Sequence, residues 1–184
     1  MPFIVVYDSN VLYPNTLRDL LIRLAQSGIV QAKWTDLILD EVFTNIAKNR
    51  PDIDPEKSAI LRQKMNDAVG DVLVTGYEPL INAVKLPDPD DRHVLAAAIK
   101  GKAQVIVTDN MKHFPKSVLA TWGIEPKRPD DFVLDQISLD AKVVYACVQQ
   151  IVDSRKRRPE SVEDVLAQLE RSGLADSAAA LRAA

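Results

Sequence analysis

Phe3-Ile4-Val5-Val6-Tyr7-Asp8-Ser9-Asn10 is the stretch that decides the fold. Its apolar run is short, rich in β-branched residues and does not alternate with polar ones. Such a run reads as a strand buried on both faces, the signature of a parallel sheet rather than a half-exposed antiparallel one. Val105-Ile106-Val107-Thr108 repeats the pattern, and it too ends on an aspartate, Asp109. In an open α/β sheet, ligands bind beyond the carboxyl ends of such strands. Asp8 and Asp109 stand there.

Working outward, Thr16 is expected to cap a helix carrying Leu17, Leu20, Leu21 and Leu24, with Gly28 as its stop. Val30 to Trp34 reads as a second strand. Thr35 is the expected N-cap of a helix with Leu37, Ile38, Val42, Phe43 and Ile46 on its apolar side. Asp54 and Pro55 open another helix reaching about Val69. Asp71 to Thr75 reads as a third strand. Pro87-Asp88-Pro89 blocks helix, after which Asp90 can cap one from Asp91 to Lys100, closed by Gly101. Val105 to Thr108 is the fourth strand and Gly123 to Pro126 a fifth. The alternation predicts a parallel sheet covered on both faces. From Pro129 only helical patterns follow: Asp131 to Ile137, Leu139 to Asp153 and Val162 to Leu169, with Arg155-Lys156-Arg157-Arg158-Pro159 breaking the last two apart. The expected division is residues 1–128 as an α/β domain and 129–184 as a helical extension.

At 184 residues, 47% hydrophobic and 27% charged, the chain can bury a sizeable core and gives no sign of bulk disorder. Met1 leads straight into a strand pattern, and no run of 18 apolar residues occurs, so neither secretion nor a membrane span is indicated and a cytoplasmic protein is expected. The single cysteine, Cys147, excludes an internal disulfide and a thiolate metal cluster. Net charge is −3, which does not advertise a nucleic-acid binder. Residues 1–128, however, carry 16 Lys/Arg against 16 Asp/Glu, so metal on some of those acids would leave a locally positive rim.

Four carboxylates are candidates for a cation site: Asp8, Glu41, Asp91 and Asp109. A strand-end aspartate such as Asp8 can bind metal, cap the next turn, or act as a phosphoaspartyl nucleophile. The last use wants a second acid two positions on, and that position is Asn10, which cannot serve as acid or base. Glu41 falls at the edge of a helical face of Leu37, Ile38, Phe43 and Ile46, where an unpaired charge is costly; a solvated stripe with Asp36 and Asp40 is the plainer alternative. Asp88, Asp90 and Asp91 precede a helix, and three acids in four positions exceed what capping needs. His93 is a ligand, a base, or a structural helical histidine. Zinc would want more His or Cys than this chain holds, and no imidazole is expected to converge on the site. Carboxylates alone suit Mg²⁺ or Mn²⁺, which keep waters and bind phosphate oxygens.

Val6-Tyr7-Asp8-Ser9-Asn10-Val11-Leu12-Tyr13, Trp34-Thr35 followed by Asp40-Glu41-Val42, Asp88-Pro89-Asp90-Asp91-Arg92-His93-Val94-Leu95-Ala96-Ala97-Ala98, and Val107-Thr108-Asp109-Asn110 followed by His113-Phe114-Pro115 together resemble the PIN domain over residues 3–125. The closest likeness is to VapC-type toxins of toxin–antitoxin modules, Mg²⁺-dependent ribonucleases, and the tail resembles the C-terminal region of a longer subgroup. The resemblance implies a three-layer α/β/α sandwich with a central parallel sheet, hydrolysis of RNA with Mg²⁺ (or Mn²⁺), an antitoxin partner, and a homodimer. It maps the acidic site onto Asp8, Glu41, Asp91 and Asp109, with Asp90 a rival for the third place. Thr108 and Asn110 are expected behind those ligands. Arg18, one or two turns into the first long helix, is either a phosphate contact or a solvated surface charge. A phosphatase on a related scaffold and a non-catalytic RNA- or protein-binding scaffold are the competing readings.

Overall fold

The computed structural model describes residues 3–184. Four parallel strands, β1 (Ile4–Tyr7), β2 (Gln31–Lys33), β3 (Val105–Val107) and β4 (Glu125–Lys127), form a sheet in the order β2-β1-β3-β4. Val5, Val6 and Tyr7 are all fully buried, and so are Ile106 and Val107. Successive strand residues point to opposite faces, so complete burial of neighbours means that both faces are covered. The result is the expected three layers.

Between β1 and β2 lie α1 (Ser9–Leu12) and α2 (Asn15–Gln26). α3 (Asp36–Asn49), α4 (Pro55–Ala68), α5 (Glu78–Ile81) and α6 (Arg92–Lys100) separate β2 from β3, and α7 (Lys116–Ala120) separates β3 from β4. From β1 the chain moves to one side of the sheet for β2, then returns to the other side for β3. The two strands that Asp8 and Asp109 follow therefore flank the point where the strand order reverses, which is where open α/β sheets bind their ligands.

Most local signals act as expected. Thr35 caps α3 by accepting from the Ile38 amide at 3.0 Å, and Asp54 caps α4 by accepting from Glu56 at 2.9 Å. Others are corrected. α2 begins at Asn15, so Thr16 lies inside it, and its hydroxyl contacts Gln168 of the C-terminal region. The third strand shrinks to one bridge between Trp34 and Leu73. Asp71 (φ 52°) and Gly76 (φ 72°) turn the chain into and out of that position, leaving no length for a ladder. Asp88 rather than Asp90 is the cap before α6: it accepts from the Asp90 amide at 2.9 Å and starts a 3₁₀ turn, Pro89–Asp91.

The C-terminal region comprises α8 (Pro129–Ser154), α9 (Val162–Arg171) and α10 (Ala175–Arg182). α8 is kinked at Asp140 (φ −158°), whose carboxylate accepts from the Lys142 and Val143 amides and caps the second half. The two helices read from sequence are thus one rod with a break. Val144, Val148, Ile151, Leu166 and Leu169 join the same core as the sheet, and the Phe132 ring meets Tyr7 edge-on at 6.0 Å. No helix among the described residues is long and apolar enough to cross a membrane.

Candidate metal centre

Asp8 leaves the end of β1 with its amide bonded to the Val107 carbonyl at 3.0 Å, so its position is set by the sheet itself. One carboxylate oxygen accepts from the Ser9 amide at 2.8 Å, capping α1; the other accepts from the Thr108 hydroxyl at 2.9 Å and the Asn10 amide at 3.2 Å. These bonds favour the charged form. Burial outweighs them: at 3% exposure, with Asp91 and Glu41 adding repulsion, the carboxyl is pushed from 3.8 up to about 6.

Thr108 is the hub behind this ligand. Fully buried, its hydroxyl also accepts from Asn10 Nδ2 at 3.1 Å and from the Asn110 amide at 3.0 Å. Asn10 Oδ1 in turn accepts from the Asp109 amide at 3.1 Å, locking the ends of β1 and β3 together. Asn10 is therefore a clamp, which agrees with the absence of a second acid there.

Glu41, on α3, is held by Ser9, whose hydroxyl donates to Oε2 at 2.9 Å. His93 of α6 presses Nε2 against the other carboxylate oxygen. That contact is not aligned as a hydrogen bond, and Nδ1 has no partner although the ring is only 6% exposed. Asp91, immediately before α6, is half-buried; His113 Nδ1 lies 2.7 Å from its Oδ2. Burial and the Asp88 and Glu41 charges push the Asp91 carboxyl up, while His113 pulls it down. Asp90 is exposed and its side chain has no hydrogen bond or ion pair among the described residues, whereas the Asp91 charge acts on Asp8. Partial burial also raises Asp109, against the pull of Arg128.

Three placements differ from expectation. Both histidines of the chain converge on site carboxylates, although no imidazole was expected there. Asp88, Asp91 and His113 bring one ligand atom each within 4.8 Å of one another, a tighter triple among the described residues than the expected four acids. Asn110, expected behind the ligands, sets its side chain 3.2 Å from the same His113 Nδ1 that meets Asp91. Arg18 is not a surface charge: 7% exposed, it donates through Nη1 to the Leu12 and Tyr13 carbonyls and through Nη2 to Asn15. The sequence signal for His113 was its place three residues after Asn110, one 3₁₀ turn away (Met111–His113).

The donor set fits a divalent cation. Asp8, Glu41 and Asp91 repel one another, and among the described residues no Lys or Arg forms an ion pair with any of them or with Asp109. Oxygen ligands of this kind suit hard ions, and His113 adds one nitrogen beside them.

Comparison with known proteins agrees with this geometry. A PIN domain model matches residues 4–112, and a model described as VapC50 C-terminal domain matches residues 129–183. The protein described as "Putative ribonuclease VapC50" of Mycobacterium tuberculosis is 46% identical over 79 residues. That alignment takes in 43% of this chain and 46% of the relative, about half the length of each. No solved structure matches the chain. With the strand-end acids at the switch point of the sheet, the matched residues place the chain in the PIN domain family, with a C-terminal region of the VapC50 type.

Proposed function

We propose that this protein is a divalent-metal-dependent ribonuclease, hydrolysing RNA phosphodiester bonds as the toxin of a toxin–antitoxin module. The observation that carries the reading is the mutual repulsion of Asp8, Glu41 and Asp91, none of which pairs with a Lys or Arg among the described residues. A cluster of like charges at the end of a buried strand opposes folding and is explained by a cation. Mg²⁺ or Mn²⁺, if held by these carboxylates, would supply charge neutralisation at the scissile phosphate and a more acidic water. The likeness to a protein described as a ribonuclease supports RNA as the polymer.

The chain's own groups divide the work. Asp8, Asp91 and Asp109 hold the ion directly or through water. Glu41, steered by Ser9 and His93, completes the shell or orients the attacking water. Thr108 and Asn10 fix the Asp8 carboxylate, and His113 fixes Asp91; such supporting hydrogen bonds tune the ligands they hold. The partner would be a small antitoxin protein, and a homodimer is the expected assembly.

The test is RNA cleavage by the purified chain. Mg²⁺ or Mn²⁺ should be required, EDTA should stop the reaction, and products should carry 5′-phosphate and 3′-hydroxyl ends. Full activity after exhaustive chelation would overturn the mechanism.

A further inference from the structure

A cleft of about 450 Å³ lies between the α1–α2 turn, the second half of α3 and α4. Arg18, Arg50 and Lys57 line it and no carboxylate does, while Tyr13, Ile46 and Leu61 give it an apolar side. Arg18 is the unusual member. Its three hydrogen bonds all go to uncharged groups and use three of five guanidinium N–H groups. Asp19 is the one carboxylate acting on Arg18, and it is already paired with Arg23 at 2.7 Å. A cation buried to this extent with so little compensation is costly, and an anion in the cleft would relieve it. Lys57 forms no ion pair among the described residues, and Arg50 is tied only to Asp52, an exposed pair of little energetic weight.

The position of the cleft indicates whose anion this is. Tyr13 directly follows α1, which Asp8 caps, so the cleft begins roughly 8 Å along that helix at 1.5 Å per residue. On α3, Ile46 and Arg50 lie about 8 and 14 Å beyond Glu41 by the same rise. A strand with its scissile phosphate at the carboxylates would reach the cleft with its next nucleotide or two. The volume falls within the range of small-ligand pockets. The Tyr13 hydroxyl accepts from Asn49 at 3.0 Å, which holds the ring at the cleft wall.

We infer that this cleft is a flanking-nucleotide pocket, taking a base against Tyr13, Ile46 and Leu61 and a backbone phosphate against Arg18, Arg50 and Lys57. The identity of the polymer rests on the ribonuclease reading above. The pocket would read the RNA beside the cut, and would make cleavage depend on length and sequence on that side.

Two variants of the full chain test it: Arg50→Gln with Lys57→Gln, which removes rim charge, and Ser58→Trp, which fills the cleft from an exposed helix. Binding of a labelled single-stranded RNA by anisotropy and its cleavage are measured on the same samples, with an acidic peptide as the second ligand. The charge variant should weaken RNA binding about tenfold and lower the salt slope by about 0.7, the share of the one phosphate held in the pocket. Ser58→Trp should weaken binding with little change of slope. RNA affinity and slope unchanged in both variants would overturn the pocket, as would losses confined to the peptide. Should the protein cut no RNA while the variants still lose affinity, the pocket stands and the hydrolytic reading falls. Should it cut RNA while the variants keep full affinity, the hydrolytic reading stands and the pocket falls.

Discussion

Asp130 and Asp8 show how differently two parts of this molecule treat a carboxylate. Asp130, in the first turn of α8, accepts from the Ser177 amide at 2.8 Å, the Ser177 hydroxyl at 2.6 Å and the Asp176 amide at 3.1 Å. It is a staple that docks α10 onto α8. Nearby, Arg182 sits between Glu163 and Glu170, so charge is matched there as well. Asp8 also receives hydrogen bonds, yet it faces Glu41 and Asp91, and its carboxyl is raised to about 6. In the helical layer these carboxylates meet donors and a cation, whereas at the end of the sheet Asp8 meets further carboxylates. Unresolved charge inside an otherwise consistent fold marks the place where function is carried.

The largest effect should come from removing that conflict. Asp8→Asn keeps the shape, abolishes RNA cleavage, and leaves the metal-free protein at least as stable. The pH dependence gives the sign. Folding raises this carboxyl from 3.8 to about 6, so the folded state holds the proton more tightly than the unfolded chain. The resulting cost is present above about pH 6 and vanishes below about pH 4. Relative to Asp8→Asn, metal-free wild type should therefore gain up to about 3 kcal/mol as pH falls through that window. Mg²⁺ should raise the wild-type Tm at pH 7 and raise that of Asp8→Asn much less. An active Asp8→Asn protein with an undiminished Mg²⁺ response would show Asp8 to be a turn cap.

The helical layer should answer in stability rather than in chemistry. Leu169 is fully buried in the common core, so Leu169→Ala should cost about 2–5 kcal/mol in denaturant unfolding. Turnover per folded molecule should stay unchanged at temperatures where the variant is folded. A loss of kcat with stability intact would mean that α9 reaches the site, and the contrast between the two regions would fail.

What could be read from the sequence follows the same division. Val5-Val6-Tyr7 and Val105-Ile106-Val107 announced buried parallel strands because each residue is apolar, and the strand-end acids came with them. Thr35 and Asp54 are local caps whose effect needs only two or three neighbours. Local reasoning failed where a distant partner decides. Thr16 looks like a cap until Gln168 and Arg155 are brought to its hydroxyl from more than 130 residues away. Likewise His113 drew notice only when folding set it beside Asp91, and His93, open in the sequence between ligand, base and structural residue, acquired Glu41 as its neighbour only there. Arg18 looks like a surface charge because its helical position says nothing of the carbonyls that α1 turns back toward it.

His113 offers a sharper and smaller test. His113→Gln removes the imidazole at 2.7 Å from Asp91 while keeping a polar side chain of similar reach. Loss of a group supporting a metal ligand typically costs 10–100-fold in affinity or activity. The variant should need correspondingly more Mg²⁺ for half-maximal cleavage, with kcat recovered at saturation. A lowered kcat at every Mg²⁺ concentration would instead give His113 a part in the chemical step.

The smallest expected effect concerns the basic link between α8 and α9. Arg155 is committed to structure, donating to the Thr16 hydroxyl at 3.2 Å and to Glu160 at 3.5 Å. Its loss should cost about 1 kcal/mol of stability. Lys156, Arg157 and Arg158 are exposed, and no side-chain hydrogen bond or ion pair holds them among the described residues. If the helical layer takes no part in substrate binding, converting these three to Gln leaves the salt slope of RNA binding unchanged and stability within about 0.5 kcal/mol. If the link tracks the RNA backbone, the slope falls by about 2, near 0.7 for each lost phosphate contact. The second result would extend the substrate path across α8, and the helical layer would then share in binding as well as in packing.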